Sequence, residues 1–173
     1  TGAQRAPSAA SFMREGQARS VSNPELGIEL GKRRASLVVF SIGGQSLALS
    51  VTQVVEICQL SDWLSVPAAP SHVMGLLNWR EQPAVVVDLG AVLGLPARDN
   101  LSANRLLVAR VTAGEAELVA FPIDTGAKVV PVPIKSRIGA TPAGCRTDLL
   151  CGSYEADGQN LLVPDMPRIL ADL

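Results

Sequence analysis

The amino-acid sequence predicts an all-β protein built of two small barrels packed together. Three observations predict it. Apolar runs of strand length recur between residues 36 and 163, each bounded by turn-forming residues. The hydrophobic content of 47% comes almost wholly from Val, Leu, Ile and Ala, with only 3% aromatic residues; branched aliphatic side chains suit a pleated surface. Long stretches of helical apolar periodicity are nearly absent. At 173 residues the chain can hold one ordinary domain or two subdomains sharing a core.

The elements follow in order. Residues 1–35 are rich in Ala, Ser, Gly and Arg and read as an arm, flexible or docked, with a short helix around Ser8–Arg19. The basic "GKRR" at 31–34 reads as a solvated junction. "SLVVFSI" (36–42), a turn "GGQS" (43–46) and "LALSV" (47–51) form a hairpin. "QVVEI" (53–57) is a further strand, and "DWLSVPAAP" (62–70) is a loop punctuated by prolines. "VMGLLNWR" (73–80) and "AVVVDL" (84–89) flank "EQP" in a second hairpin. "LGAVLGLP" (89–96) gives one or two helical turns ended by Pro96, and 97–104 is a polar connector. "RLLVARV" (105–111), the turn "TAGE" and "AELVAFPI" (116–123) form a third hairpin. "AKVVPVPI" (127–134) carries prolines that suit an edge strand, because each removes a ladder donor. "DLLCGSY" (148–154), "EADG" and "QNLLV" (159–163) form the last hairpin, with Asp157-Gly158 suited to positive φ. "PDMPRILADL" (164–173) closes the chain as a helix. About five hairpins are expected in all.

Several function classes are excluded on bulk grounds. A net charge of −1 and few aromatics argue against nucleic-acid binding. No apolar run approaches the roughly 20 residues that span a bilayer, so direct membrane insertion is not expected, nor is a signal peptide indicated. Cys58, Cys145 and Cys151 form no C-x-x-C pair. They read as reduced thiols of a cytosolic protein, Cys58 as a core filler. No metal-ligand spacing and no phosphate-binding loop occurs, and the single His72 reads as an ordinary histidine.

One stretch, "AFPIDTGAKVV" (120–130), poses a catalytic alternative. Asp-Thr-Gly after an apolar run is how an aspartic protease presents its carboxylate. Such an enzyme needs two carboxylates about 3 Å apart sharing a proton. The other candidate, "VVVDLGA" at 85–91, lacks the hydroxyl residue, and too few residues separate Asp88 from Asp124 to fit a lobe. A dimeric protease using Asp124 is the enzyme alternative. A strand-end turn, where Asp bonds nearby amides and Gly takes unusual φ, is the ordinary reading.

Several segments together carry more information. "FSIGGQSLALSV" leads into Val55-Glu56-Ile57, then Pro67 and Pro70, then Gly75, Asn78 and Arg80, then Asp88-Leu89 and Gly94-Leu95. "AFPIDTGAKVVPV" and the closing "CGSYEADGQNLLVPDMPRIL", with Asp165, follow in the same order. Over residues 36–173 this arrangement resembles the CheW family, the coupling adaptors of bacterial chemosensory arrays. The resemblance implies two five-stranded, SH3-like barrel subdomains with short helices, no enzymatic activity and no cofactor. It implies two partners: a histidine kinase regulatory domain and the cytoplasmic tip of a methyl-accepting chemoreceptor. It places Asp124 at a structural position.

The resemblance also locates a partner-binding face. Arg80 and Glu56 match the family's hairpin arginine and strand glutamate and are expected to pair across neighbouring strands. Val54, Ile57 and Leu76 flank them, as groove lining or as core. Gly75 allows close backbone approach or marks a bulge. Asn78 lies between these positions. Trp79 is an interface anchor if exposed and a core residue if buried. Glu81 stands where the family has Gly, which implies a different turn, and Val85 replaces a family proline while Pro83 comes earlier. These departures point to a divergent system, such as pilus-based or gliding motility.

Overall fold

The computed structural model describes residues 34–173 apart from 97–104, 114, 125–126, 134–136, 139 and 157. The arm with its expected helix, the connector, Thr125-Gly126 and Asp157 lie outside the described residues. The elements are β1 Arg34–Ile42, β2 Gln45–Ser50, β3 Val54–Gln59, β4 Val73–Trp79, β5 Gln82–Val87, α1 Leu89–Val92, β6 Arg105–Ala113, β7 Glu115–Ile123, β8 Lys128–Pro133, β9 Arg137–Ile138, β10 Leu150–Ala156, β11 Gln159–Pro164 and α2 Met166–Asp172, with a 3₁₀ turn at Thr147–Leu149. The chain is mostly β, as its composition predicts.

The strands form two sheets. One has six strands in the order β8-β1-β2-β11-β10-β9, the other five in the order β3-β6-β7-β5-β4. The five-stranded sheet is one continuous stretch of chain inserted between β2 and β8. All pairs are antiparallel except β2–β11 and β5–β7. The expected fold class, two small SH3-like β subdomains, is the one observed; the two-residue β9 adds a sixth strand to one sheet, and among the described residues neither hydrogen-bond ladder closes on itself. Four hairpins connect sequential strands directly, β1–β2, β4–β5, β6–β7 and β10–β11.

The strand sequences are continuous apolar runs because both faces of the central strands are buried. Along β6, Leu106 and Val108 enter the interior of the five-stranded sheet, while Leu107 and Ala109 enter a core shared with the other sheet. In β7, Leu118 and Ala120 alternate with Val119 and Phe121 in the same way. In β11, Leu161 and Val163 face their own sheet's interior and Leu162 the shared core. Phe40 from β1 meets Phe121 from β7 in that shared core, ring centroids 5.6 Å apart and tilted 40°. Such a tilted pair adds about 0.5–1.5 kcal/mol beyond area burial.

Turn chemistry fixes the registers. Gly43 and Gly44 have φ of 58° and 79°, the left-handed pair a two-residue hairpin turn requires. The turn is therefore shorter than "GGQS". β8 lies at a sheet edge, as its prolines predict. Pro131 and Pro133 share one parity, and pairing with β1 continues to Pro133. The lost donors therefore fall on the outer side, where they block pairing with another strand. Asp88 caps α1 by accepting from the Ala91 amide at 3.1 Å. Asp165 caps α2 by accepting from Arg168 at 3.2 Å. Cys151, rather than Cys58, is the fully buried thiol; Cys58 is half-buried at the rim of the five-stranded sheet's interior.

Candidate functional site

The segment after β3 returns along the outer edge of β4. Leu64 and Leu76 exchange two backbone hydrogen bonds, each 2.8 Å. This strap passes so close that a Cβ on Gly75 would lie 2.3 Å from the Leu64 carbonyl oxygen and 2.7 Å from Trp63 Cδ1. Gly75 thus allows close approach, and the pairing with β5 shifts register between Val73 and Gly75, so both sequence readings hold. Trp63, Met74 and Trp79 pack over the interior of the five-stranded sheet. Leu64 is 73% exposed and Leu76 39% exposed, an apolar pair side by side on the surface.

Beyond this pair lie the charged residues. The Arg80 guanidinium sits 3.0 Å from a Glu56 carboxylate oxygen. The Trp79 indole N–H donates to the same oxygen at 3.1 Å. Arg80 also lies over the Trp79 ring, 5.0 Å from its centroid, a cation–π contact of about 0.5–1 kcal/mol at an exposed site. The expected pairing of Glu56 with Arg80 is present, but not between neighbouring strands. β3 and β4 are the two terminal strands of the five-stranded order. The sheet curls until its ends meet, and Glu56, Trp79 and Arg80 clasp the seam that backbone hydrogen bonds leave open.

The remaining site residues divide. Val54 and Ile57 are half-buried and lean on the shared core. Val55, which has no ladder partner because β3 bulges there, is the exposed apolar residue of the strand. Trp79 is neither a free anchor nor a buried core residue: it is half-buried, its ring on the interior and its N–H on Glu56. Asn78 and Glu81 are exposed. Arg80 and Glu81 take φ of 47° and 66°, so two non-glycine residues occupy the left-handed turn themselves. Leu64 was not singled out in the sequence; its position inside a proline-punctuated loop was the available signal.

Asp124 ends β7 and accepts from the Gly44 amide at 3.3 Å, while its own amide donates to Ser41 at 2.9 Å. It ties the first hairpin's turn to the other sheet. Asp88 is engaged as a helix cap. Asp124 thus secures a turn, the ordinary reading of the triplet. Burial pushes the Cys58 and Cys145 thiols above their ordinary range, chiefly by desolvation. Among the described residues no cluster of three or more His, Cys, Asp or Glu is placed to hold a metal.

Two packed small β subdomains thus set an exposed apolar pair beside a clasp of charge and indole. Comparison with known proteins gives the chain's family. The family model of the CheW-like domain matches residues 36–173. The chain is 28% identical to the chemotaxis protein CheW of Bacillus subtilis over 117 residues, 68% of this chain and 72% of that one. It is 29% identical to a probable chemotaxis protein CheW of Rhizobium etli over 75 residues, 43% of this chain and 48% of that protein. The scaffolding protein TtCheW of Thermoanaerobacter tengcongensis has a similar fold, with a TM-score of 0.64 at 20% identity, over 78% of this chain and 85% of that one. The chain belongs to the CheW-like domain family, whose members are non-enzymatic scaffolds.

Proposed function

We propose that this chain is an adaptor that couples chemoreceptors to a histidine kinase in a chemosensory system. Its partners are the kinase's regulatory domain and the cytoplasmic tip of a methyl-accepting receptor. Membership of the CheW-like family supports the adaptor role. The single observation that carries the site is the surface on which Arg80, its side chain 70% exposed, stands beyond the exposed Leu64–Leu76 pair. An apolar centre with a charged, orienting rim is what a selective protein interface requires. The added carboxylate of Glu81 favours a divergent branch, such as pilus-based or gliding motility. No helix among the described residues is long and apolar enough to cross a membrane, which is compatible with a cytoplasmic adaptor held at the membrane by its partners.

The test is calorimetric titration of the kinase regulatory domain and of a receptor-tip fragment against the wild type, Arg80→Ala and Leu64→Ser. Loss of about tenfold or more in affinity for either partner supports the site, since an interface hot spot contributes more than about 1.4 kcal/mol. Full affinity in both variants refutes the site; no binding by the wild type refutes the adaptor reading.

A further inference from the structure

The face that carries Leu64 and Leu76 has a direction. The strap runs antiparallel to β4 where Leu64 meets Leu76. A step from Leu64 back to Asp62 therefore moves the same way as a step from Leu76 on to Asn78, towards the β4–β5 turn. Asp62, Asn78, Arg80 and Glu81 are all exposed. Asp62 lies about 7 Å along the strap from Leu64, and Trp79, the last residue of β4, about 10 Å along its strand from Leu76. One end of the face is thus apolar, and the other end carries the charges.

Those charges do not balance. Arg80 is matched by Glu56 at 3.0 Å and lies over the Trp79 ring, so its charge is met within the chain. On the strap and the β4–β5 hairpin this leaves the carboxylates of Asp62 and Glu81. Neither takes part in a hydrogen bond or ion pair among the described residues. Glu81 is also held at a φ of 66°, where a residue with a Cβ is strained and glycine is not. No internal contact offsets that strain. A strained, exposed, unpaired charge at the rim of an apolar patch implies a contact with another molecule.

We propose that Glu81 selects the partner: the segment seated on Leu64 and Leu76 carries a lysine or arginine that reaches Glu81, and Asp62 adds to the same negative end. The face accepts an apolar segment with a basic end and disfavours one whose end is acidic. Glu81 is then a specificity-determining residue whose carboxylate serves recognition and not the turn. This assignment rests on the adaptor reading and adds the chemistry of the partner that the face receives.

The experiment measures association and dissociation of the kinase regulatory domain and of the receptor-tip fragment by surface plasmon resonance, on the full chain as wild type, Glu81→Gln, Glu81→Lys and Asp62→Asn. It is run at about 0.1 M and about 1 M salt, between which the screening length falls from about 10 to about 3 Å. For the partner that uses this face, Glu81→Gln should bind about two- to fivefold more weakly in the lower salt, the range of a rim ion pair. Glu81→Lys replaces attraction by repulsion and should lose about tenfold, mostly in the association rate, and Asp62→Asn should lose less than Glu81→Gln. These losses should shrink in the higher salt. A role in the turn alone would move the urea midpoint and leave the association rate as it is. Unchanged affinity of Glu81→Lys for both partners overturns the proposal. So does a loss that salt leaves intact, and so does tighter binding, which assigns the face to an acidic segment. If the wild type binds neither partner, the adaptor reading fails and this assignment fails with it; if the wild type binds and Glu81→Lys binds equally well, this assignment alone fails.

Discussion

Replacing Glu81 by Gly should stabilise the protein. Arg80 and Glu81 are the two central residues of the β4–β5 turn, and both have positive φ. For a residue with a Cβ this region costs roughly 1–2 kcal/mol. Glycine removes that cost at one position but frees the unfolded chain, which returns about 0.5–1 kcal/mol. The net gain is about 0.5–1 kcal/mol. Nothing else offsets it, since the exposed Glu81 side chain makes no hydrogen bond or ion pair among the described residues. With an m-value of about 1.5 kcal/mol/M, the urea midpoint should rise by about 0.3–0.7 M with m unchanged. The melting temperature should rise by about 1–4 °C. An unchanged or lower midpoint at equal m would refute the argument, because it would mean that the turn is not strained at this position.

Three further outcomes follow from the same coordinates. Gly75→Ala sets a methyl against the backbone oxygen of Leu64, which cannot rotate away; the strap must lift, costing about 1–3 kcal/mol and red-shifting tryptophan emission as Trp63 is wetted. Phe121→Ala empties the buried contact with Phe40 in the shared core and should cost about 3–5 kcal/mol in urea unfolding. Arg146 lies 2.7 Å from Asp148 and 2.6 Å from Asp172, and its hydrogen bond holds the Asp148 carboxyl below its ordinary value of 3.8. A depressed carboxylate contributes stability above its unfolded pKa and loses it as pH falls through the lower folded value. The melting-temperature deficit of Arg146→Ala should therefore be visible at neutral pH and shrink towards zero in acid below about pH 3.8.

The hairpins were legible because their signals are local. Gly43-Gly44 and the prolines of β8 each act within a few residues of where they stand. What was not legible depends on residues distant in sequence. The apolar runs of β6 and β7 look alike whether they line one barrel or divide between two cores, because periodicity does not say what covers each face. The pairing of Glu56 with Arg80 could be expected, but its geometry could not. Only the curl of five strands shows that these residues come from opposite ends of the sheet. Glu81 was read through a resemblance that has glycine there; in this chain the flanking ladder holds a glutamate at positive φ. Asp124 showed a local pattern that two functions share, and its contact with Gly44, far away in sequence, decides between them.

The clasp gives one residue two roles, and stability measurements can separate them. A ladder that does not close leaves terminal strands with unsatisfied edges, so the Glu56–Trp79–Arg80 contacts help to keep β3 against β4. Removing Arg80 leaves Glu56 bonded to the indole, and what is lost is a largely exposed ion pair of about 0–1 kcal/mol and a cation–π contact of about 0.5–1 kcal/mol. Removing Glu56 leaves the half-buried indole N–H without its acceptor and Arg80 without its anion, and an orphaned donor costs about 1–3 kcal/mol. Glu56→Ala should therefore be the more destabilising change by urea titration, and Glu56→Gln, which keeps an acceptor for the indole, should recover much of the difference. Equal effects of Arg80→Ala and Glu56→Ala would show that the indole bond does not hold the seam. With the predicted ordering, Arg80→Ala becomes the clean probe of partner binding, because it alters the surface and leaves the sheet closed.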